Sequence, residues 1–143
     1  MSNEFKDLKP EIWKRFEDYP HIFLATQENG QPRVRVVTLV TFDQRLWVLT
    51  GTRSAKVKQI RGNPKIELCL IFDEGGHHGY IRASGFAKII SDKETKVKVA
   101  KHCDFFTEHW KSFDDPNYTL LELKLDFIEY LRSKESIVRK FKL

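Results

Sequence analysis

HIFLATQENGQPRVRVVTLVTFDQRLWVLTGTRSAK, residues 21–56, is the stretch that decides the fold. His21 to Thr26 has the apolar composition of a buried strand, and Glu28-Asn29-Gly30 supplies the turn into Val34 to Phe42, which is rich in β-branched residues. Asp43-Gln44-Arg45 makes a second tight connection to Leu46 to Thr50, so three strands follow one another as an antiparallel meander. From Ser54 to Arg61 the period changes. Ala55, Val57 and Ile60 mark one helical face, Thr52 or Ser54 caps its start, and Gly62 followed by Pro64 ends it.

Working outward, Pro10 to Tyr19 reads as a short helix with Ile12, Phe16 and Tyr19 at three- and four-residue spacing, closed by Pro20. Ile66 to Phe72 and Tyr80 to Ile90 are strands on either side of the Gly75-Gly76-His77-His78-Gly79 turn, and Gly85 marks a bulge or bend. Asp92 opens a helix running to Trp110, Asp114-Asp115-Pro116-Asn117 lies in a loop, and Leu120 to Tyr130 is a last long strand. A basic terminal helix is expected over Glu135 to Phe141, within a tail of about 133–143. Six strands with short turns and a few helices predict a mainly β, α+β chain: an antiparallel β-barrel with peripheral helices, in one domain covering 1–143.

Composition agrees with a folded chain. The 143 residues are 41% hydrophobic and 31% charged, with 11 Phe, 4 Tyr and 3 Trp, which excludes disorder as the main state. The longest strictly apolar run, Leu68 to Phe72, is far short of the ~18 residues of a membrane span, and the charged N-terminus does not resemble a signal peptide. A cytoplasmic location with no membrane partner is therefore expected. Cys69 and Cys103 have no second pair, so neither a disulfide framework nor a zinc site is indicated.

The net charge of +5 is local. Between residues 33 and 61 stand Arg33, Arg35, Arg45, Arg53, Lys56, Lys58 and Arg61 against Asp43 alone, and the tail 132–143 holds a second excess. Such a segment inside a folded core calls for an anionic partner: a phosphate-bearing small molecule, nucleic acid or an acidic protein. On a strand, Arg33 and Arg35 share a face and form a two-pronged cation. Thr50, Thr52 and Ser54, then Lys56, lie where a strand runs into a helix N-terminus, a place whose free N–H groups and dipole favour an anion. This is a phosphate cradle without the second glycine and Lys-Ser/Thr ending of a P-loop. The same residues also fit an ordinary solvated strand and an ordinary helix cap, and by themselves leave both readings open.

Three motifs add a resemblance. His21-Ile-Phe-Leu-Ala-Thr with Gly30-Gln-Pro32-Arg-Val-Arg35-Val-Val, then Trp47-Val-Leu-Thr50 with Ser54-Ala-Lys56-Val-Lys-Gln-Ile60 and Asn63-Pro64, then Tyr80-Ile-Arg-Ala-Ser-Gly85-Phe-Ala87, occur in order over about residues 10–130. Together they resemble the pyridoxamine 5′-phosphate oxidase-like, FMN-binding split-barrel family. The resemblance implies a six-stranded split β-barrel that forms a homodimer with FMN sites at its interface. It implies that Arg35 and the backbone of Val36 and Val37 face the flavin and its phosphate, that Thr50 sits beside the ring, and that Ser54 and Lys56 bind the phosphate. Val36, Val37 and Leu49 would shelter the isoalloxazine, with Arg33, Thr52, Tyr80 and Trp110 as weaker candidates. The C-terminal segment from Leu131 lacks the Trp and Arg-x-His-x-x-Arg-type sequence of the oxidases proper, and Val40 stands where they carry a Lys. This speaks against pyridoxamine phosphate oxidation and for the small, general-stress-protein-like branch, as an oxidoreductase of some other small molecule.

Other chemistries find less support. His77-His78 reads as a hairpin tip, His102 and His109 as a helix surface or interface, and no G-x-S-x-G or H-E-x-x-H pattern occurs. Trp110, Phe113 and Tyr118 read as aromatics pinning a loop to the barrel, or as a lid from a partner subunit. A nucleic-acid-binding barrel is an alternative class, though no strand interleaves exposed aromatics with cations. A barrel holding FMN, a deazaflavin or haem as a carrier or sensor is another.

Overall fold

The computed structural model describes residues 3–143; Met1 and Ser2, the start of the expected single domain, lie outside them. Helix α1 (Asn3–Lys14) is followed by β1 (His21–Glu28), β2 (Gln31–Thr38), β3 (Val40–Phe42) and β4 (Arg45–Gly51). Then come α2 (Ala55–Gly62), β5 (Lys65–Glu74), β6 (His77–Ile89), α3 (Lys93–His102), α4 (Phe106–His109), β7 (Tyr118–Leu131) and β8 (Arg139–Lys142). All pairings are antiparallel, in the order β2-β1-β5-β6-β7-β4-β3, with β8 on β7.

That order explains the shape. β2 and β3 stand at the two ends of the sheet path, yet a single residue, Leu39, joins them in the chain. The sheet must curl until its ends meet, which produces a barrel split along one seam between β2 and β4. Leu39 is the pivot: its side chain is buried, and its N–H donates to the carbonyl of Pro20 at 2.9 Å. The expected strand 34–42 is thus two strands, each serving a different hairpin. Asn29 and Gly30 (φ 50 and 82) turn the first hairpin, Asp43 and Gln44 (φ 56 and 58) the second.

The barrel has eight strands where six were expected, because of this break and because the tail forms β8. Among the described residues no helix forms over 133–143. Residues 139–142 alternate in burial and complete the free edge of β7 from Phe127↔Lys142 to Tyr130↔Arg139, and Phe141 packs on Phe5 with ring centroids 5.2 Å apart. An edge strand can use those unpaired β7 groups, whereas a helix cannot.

Two helices also differ from expectation. Helix α1 lies earlier than Pro10–Tyr19 and carries Pro10 in its interior. The cost of an interior proline, ~3 kcal/mol, is offset by burying Phe5 and Leu8 together with Ile12, each worth ~1.5–3 kcal/mol. The single helix expected over 92–110 is interrupted at Cys103, whose extended backbone (φ −96, ψ 110) re-aims α4 so that Phe106 and Trp110 reach the core. Asp92 does cap α3, accepting from the Thr95 N–H at 3.1 Å. Gly85 marks the register shift in β6, where a Cβ would lie 1.9 Å from the Lys124 carbonyl oxygen.

The inner face of the barrel, with Ile22, Leu24, Val48, Leu68, Ile81 and Leu121, forms one core under α1. Val40, Trp47, Leu120 and Tyr118 form a second with Val99, Cys103, Phe106 and Trp110. No helix among the described residues is long and apolar enough to cross a membrane.

Candidate functional site

The seam is where strand ends and a helix start converge. Lys56, on the first turn of α2, reaches back to β4, where its ammonium donates to Thr50 Oγ1 at 2.7 Å; Ser54 Oγ lies 3.3 Å from the same oxygen. Ser54 holds the N-cap position but makes no side-chain capping bond, and no acid stands in the first turn. The N–H groups and positive dipole end of α2 therefore face this point without a local anion.

Arg35 approaches α2 from β2. Its guanidinium donates to the Leu24 carbonyl at 3.0 Å, to Thr26 Oγ1 at 2.8 Å and to Gln59 Oε1 at 2.7 Å, while the Thr26 hydroxyl donates to the same Gln59 oxygen at 2.5 Å. Thr26 and Gln59 are both buried, so the three residues form a fixed bracket. Burial, and then the positive field of Arg35, lower the pKa of Lys56, and burial lowers that of Arg35. Neither cation pairs with a carboxylate among the described residues. Two like charges thus lie close together along α2, Lys56 on its first turn and Arg35 against Gln59, with no carboxylate partner among the described residues, and a dianion beside Lys56 would relieve both.

Beside this cradle a cleft of about 540 Å³ opens across the split. β2 contributes Val36, Val37 and Thr38, β4 contributes Val48 to Gly51, and Lys56 enters from α2. The remaining wall comes from Tyr19 and His21 and from Phe105, Glu108, His109 and Trp110. The size and the mixture of apolar walls with a few polar groups suit a small organic ligand.

The structure brings together most of the residues expected from sequence. Val36, Val37, Leu49, Thr50, Lys56 and Trp110 line the cleft, Ser54 touches Thr50, and Arg35 stands behind Lys56. The two-pronged cation is divided, however: exposed Arg33 pairs with Glu28 at 3.3 Å, while Arg35 turns inward to the bracket. Thr52 bonds Thr119 and the Pro116 carbonyl and lies with Arg53 in a neighbouring depression. Tyr80 is on β6, opposite Ile71 and Leu131, and is not among the cleft residues. Val36, on the outer face of β2, is 57% exposed and forms the cleft's rim rather than its floor.

Sequence reasoning missed Thr26 and Gln59 as holders of Arg35. A glutamine on a helix and a threonine on a strand carry no local sign that they will meet. It also missed Tyr19, His21, Phe105, Glu108 and His109 as cleft residues, since α4 was expected to continue α3. His102, seven residues before His109, instead stacks on Phe42 at 4.5 Å. The loop after α4 is pinned as expected: Trp110 Nε1 donates to the Asn117 carbonyl at 2.9 Å, and Phe106 packs on Phe113 and Tyr118. Both cysteines are free thiols, and no group of three metal-ligating side chains forms among the described residues.

The fold is a curled, split antiparallel barrel with a cleft and two cations lacking carboxylate partners beside its seam. The chain belongs to the pyridoxamine 5′-phosphate oxidase family, whose model matches residues 8–132. Members of this family bind flavin or haem. General stress protein 26 from Bacillus anthracis str. Sterne is 26% identical, with a TM-score of 0.76 over 95% of this chain and 98% of that one. A NimC/NimA family protein of Clostridium acetobutylicum shares the fold at 20% identity, TM-score 0.79, over 100% of both chains. HutZ, the haem storage protein of Vibrio cholerae, shares it at 16% identity, TM-score 0.65, over 82% of this chain and 89% of that one. Among curated protein sequences, none matches.

Proposed function

We propose that this protein is an FMN-binding flavoprotein that oxidises or reduces a small molecule, working as a cytoplasmic homodimer. The observation that carries the reading is the pair Lys56, at the start of α2 and lining the cleft, and Arg35 behind it against Gln59, neither of them paired with a carboxylate among the described residues. FMN has the matching parts: a phosphate dianion and a flat ring system. Lys56, Ser54, Thr50 and the α2 N–H groups would hold the phosphate, with Arg35 adding its field from behind. Val36, Val37 and Leu49 would flank the ring and exclude water from it. A bound flavin supplies two-electron chemistry at its N5, for which the protein provides binding, orientation and shelter.

Pyridoxamine phosphate is not the substrate in this reading. Val40, at the position where the oxidases proper have a Lys, is buried in the second core and offers a substrate phosphate nothing. Nor do the cations of 33–61 form a polyanion track, since Arg33 and Arg45 are paired with Glu28 and Glu122. The dimer is supported by an exposed apolar patch: Phe23, Val34, Val36 and Ile71 lie on the outer face of β1, β2 and β5. Val36 belongs both to this patch and to the cleft rim, so a second copy seated there would adjoin the cofactor.

The test is the visible spectrum and native mass of the purified protein. A yellow dimer that releases FMN on denaturation is expected. A colourless protein that takes up no added FMN overturns the reading. A Soret band would replace FMN by haem, the second reading, which the presence of His21 and His109 on the cleft wall favours as iron ligands.

A further inference from the structure

The cleft wall away from Lys56 carries an exposed carboxylate, Glu108, that forms no ion pair among the described residues. Among the described residues, every glutamate except Glu17 and Glu108 forms an ion pair, and Glu108 is the one acidic side chain that lines the cleft. The same wall carries aromatic rings. Tyr19 and Phe105 meet edge to face at 5.6 Å, and His109 lies 6.2 Å from Phe105 and 5.5 Å from Trp110.

Tyr19 is placed there by an unusual backbone. Asp18 and Tyr19 both adopt the left-handed region, with φ 64 and 55, and the Tyr19 hydroxyl donates to the His102 carbonyl at 3.1 Å. Side chains other than glycine rarely take this conformation unless their surroundings hold them in it. The wall is therefore built by tertiary contacts.

We propose that this wall selects a small planar organic cation, a protonated amine or N-heterocycle, as the molecule accommodated beside the flavin. The inference rests on the flavin reading for what fills the rest of the cleft. An aromatic surface ending in an unpaired carboxylate attracts an organic cation through its ring faces and its charge together. An anionic ligand meets the opposite: Lys56 and Arg35 are engaged by the cofactor phosphate, and the wall presents the Glu108 carboxylate among aromatic rings and the imidazoles of His21 and His109. The two ends of the cleft thus sort their ligands by sign.

Three matched probes test this, benzylammonium, benzyl alcohol and benzyl phosphate, titrated into the FMN-loaded protein and followed by the flavin absorbance. Benzylammonium is expected to bind at least about tenfold more tightly than either of the others. Glu108→Gln should erase that preference, whereas Glu17→Gln, which removes the other unpaired glutamate, should keep it. Equal affinities for the three probes, or a Glu108→Gln variant indistinguishable from the parent protein, overturn the proposal. If the protein takes up no FMN, the flavin reading fails on its own. The wall is then decided in the FMN-free protein by tryptophan fluorescence, comparing benzylammonium with benzyl alcohol, because benzyl phosphate would enter the Lys56 cradle.

Discussion

Arg45 and Arg35 stand near opposite ends of the sheet path, and their surroundings differ in one respect. Arg45 makes a two-point pair with Glu122, at 2.9 and 3.0 Å, and lies over the Trp47 ring. Its charge is answered inside the chain. Arg35 is held by neutral oxygens alone, those of Leu24, Thr26, Arg33 and Gln59, with Lys56 rather than a carboxylate as its charged neighbour. The first arrangement is complete and serves stability, while the second has its geometry fixed and its charge left open, which is what a binding site for an anion requires.

The largest effect that separates the two regions is expected from Arg45→Ala. It leaves Glu122 buried without a partner and should cost about 3 kcal/mol in urea unfolding while leaving FMN affinity within about twofold. An equal loss of FMN affinity would break the distinction. Lys56→Ala should do the reverse, weakening FMN binding by ~30-fold, about 2 kcal/mol, in a fluorescence titration with no loss of stability. Arg35→Ala should fall between them, because it weakens FMN binding and also leaves Thr26 and Gln59 short of a donor, at ~1–3 kcal/mol of stability.

A pH series sharpens the same contrast. Burial and Arg35 hold the Lys56 pKa below its ordinary 10.5, so the ammonium is disfavoured in the empty folded protein relative to the unfolded chain. The sign follows: the Lys56 contribution makes the empty protein more stable as pH rises through that lowered pKa toward 10.5. FMN affinity is expected to run the other way and to fall over this range as the ammonium is lost. Both trends should vanish in Lys56→Ala, measured by unfolding and by FMN titration at matched pH. The smallest effect is expected from Ser54→Ala, about threefold in FMN affinity and little in stability, since Ser54 makes no capping bond to lose.

The parts of the molecule legible in the sequence are those built from neighbours. Two turn signals, Asn29-Gly30 and Asp43-Gln44, specified two hairpins, and Ser54 with the 55–62 periodicity specified a helix start after a strand. Thr50, Ser54 and Lys56 lie within seven residues, so their convergence needed only a strand end and one helical turn. Arg33 shows the limit of this reasoning. Strand period put it beside Arg35, but Glu28, across the hairpin, claims it. The Cys103 break and β8 were equally hidden, because the helical pattern of 92–110 and the basic tail look locally ordinary. Their conformations answer to the second core and to an open β7 edge.

The sequence by itself determined a mainly β chain, its hairpins and the convergence of Thr50, Ser54 and Lys56, since hydrophobic period, turn chemistry and helix capping act over a few residues. Only the tertiary structure decided that Leu39 bends one apparent strand into two and curls the sheet, that Thr26 and Gln59 hold Arg35, and that α4 brings Glu108 to the cleft. Those outcomes depend on which distant surfaces meet when the barrel closes, and no local pattern encodes such a meeting.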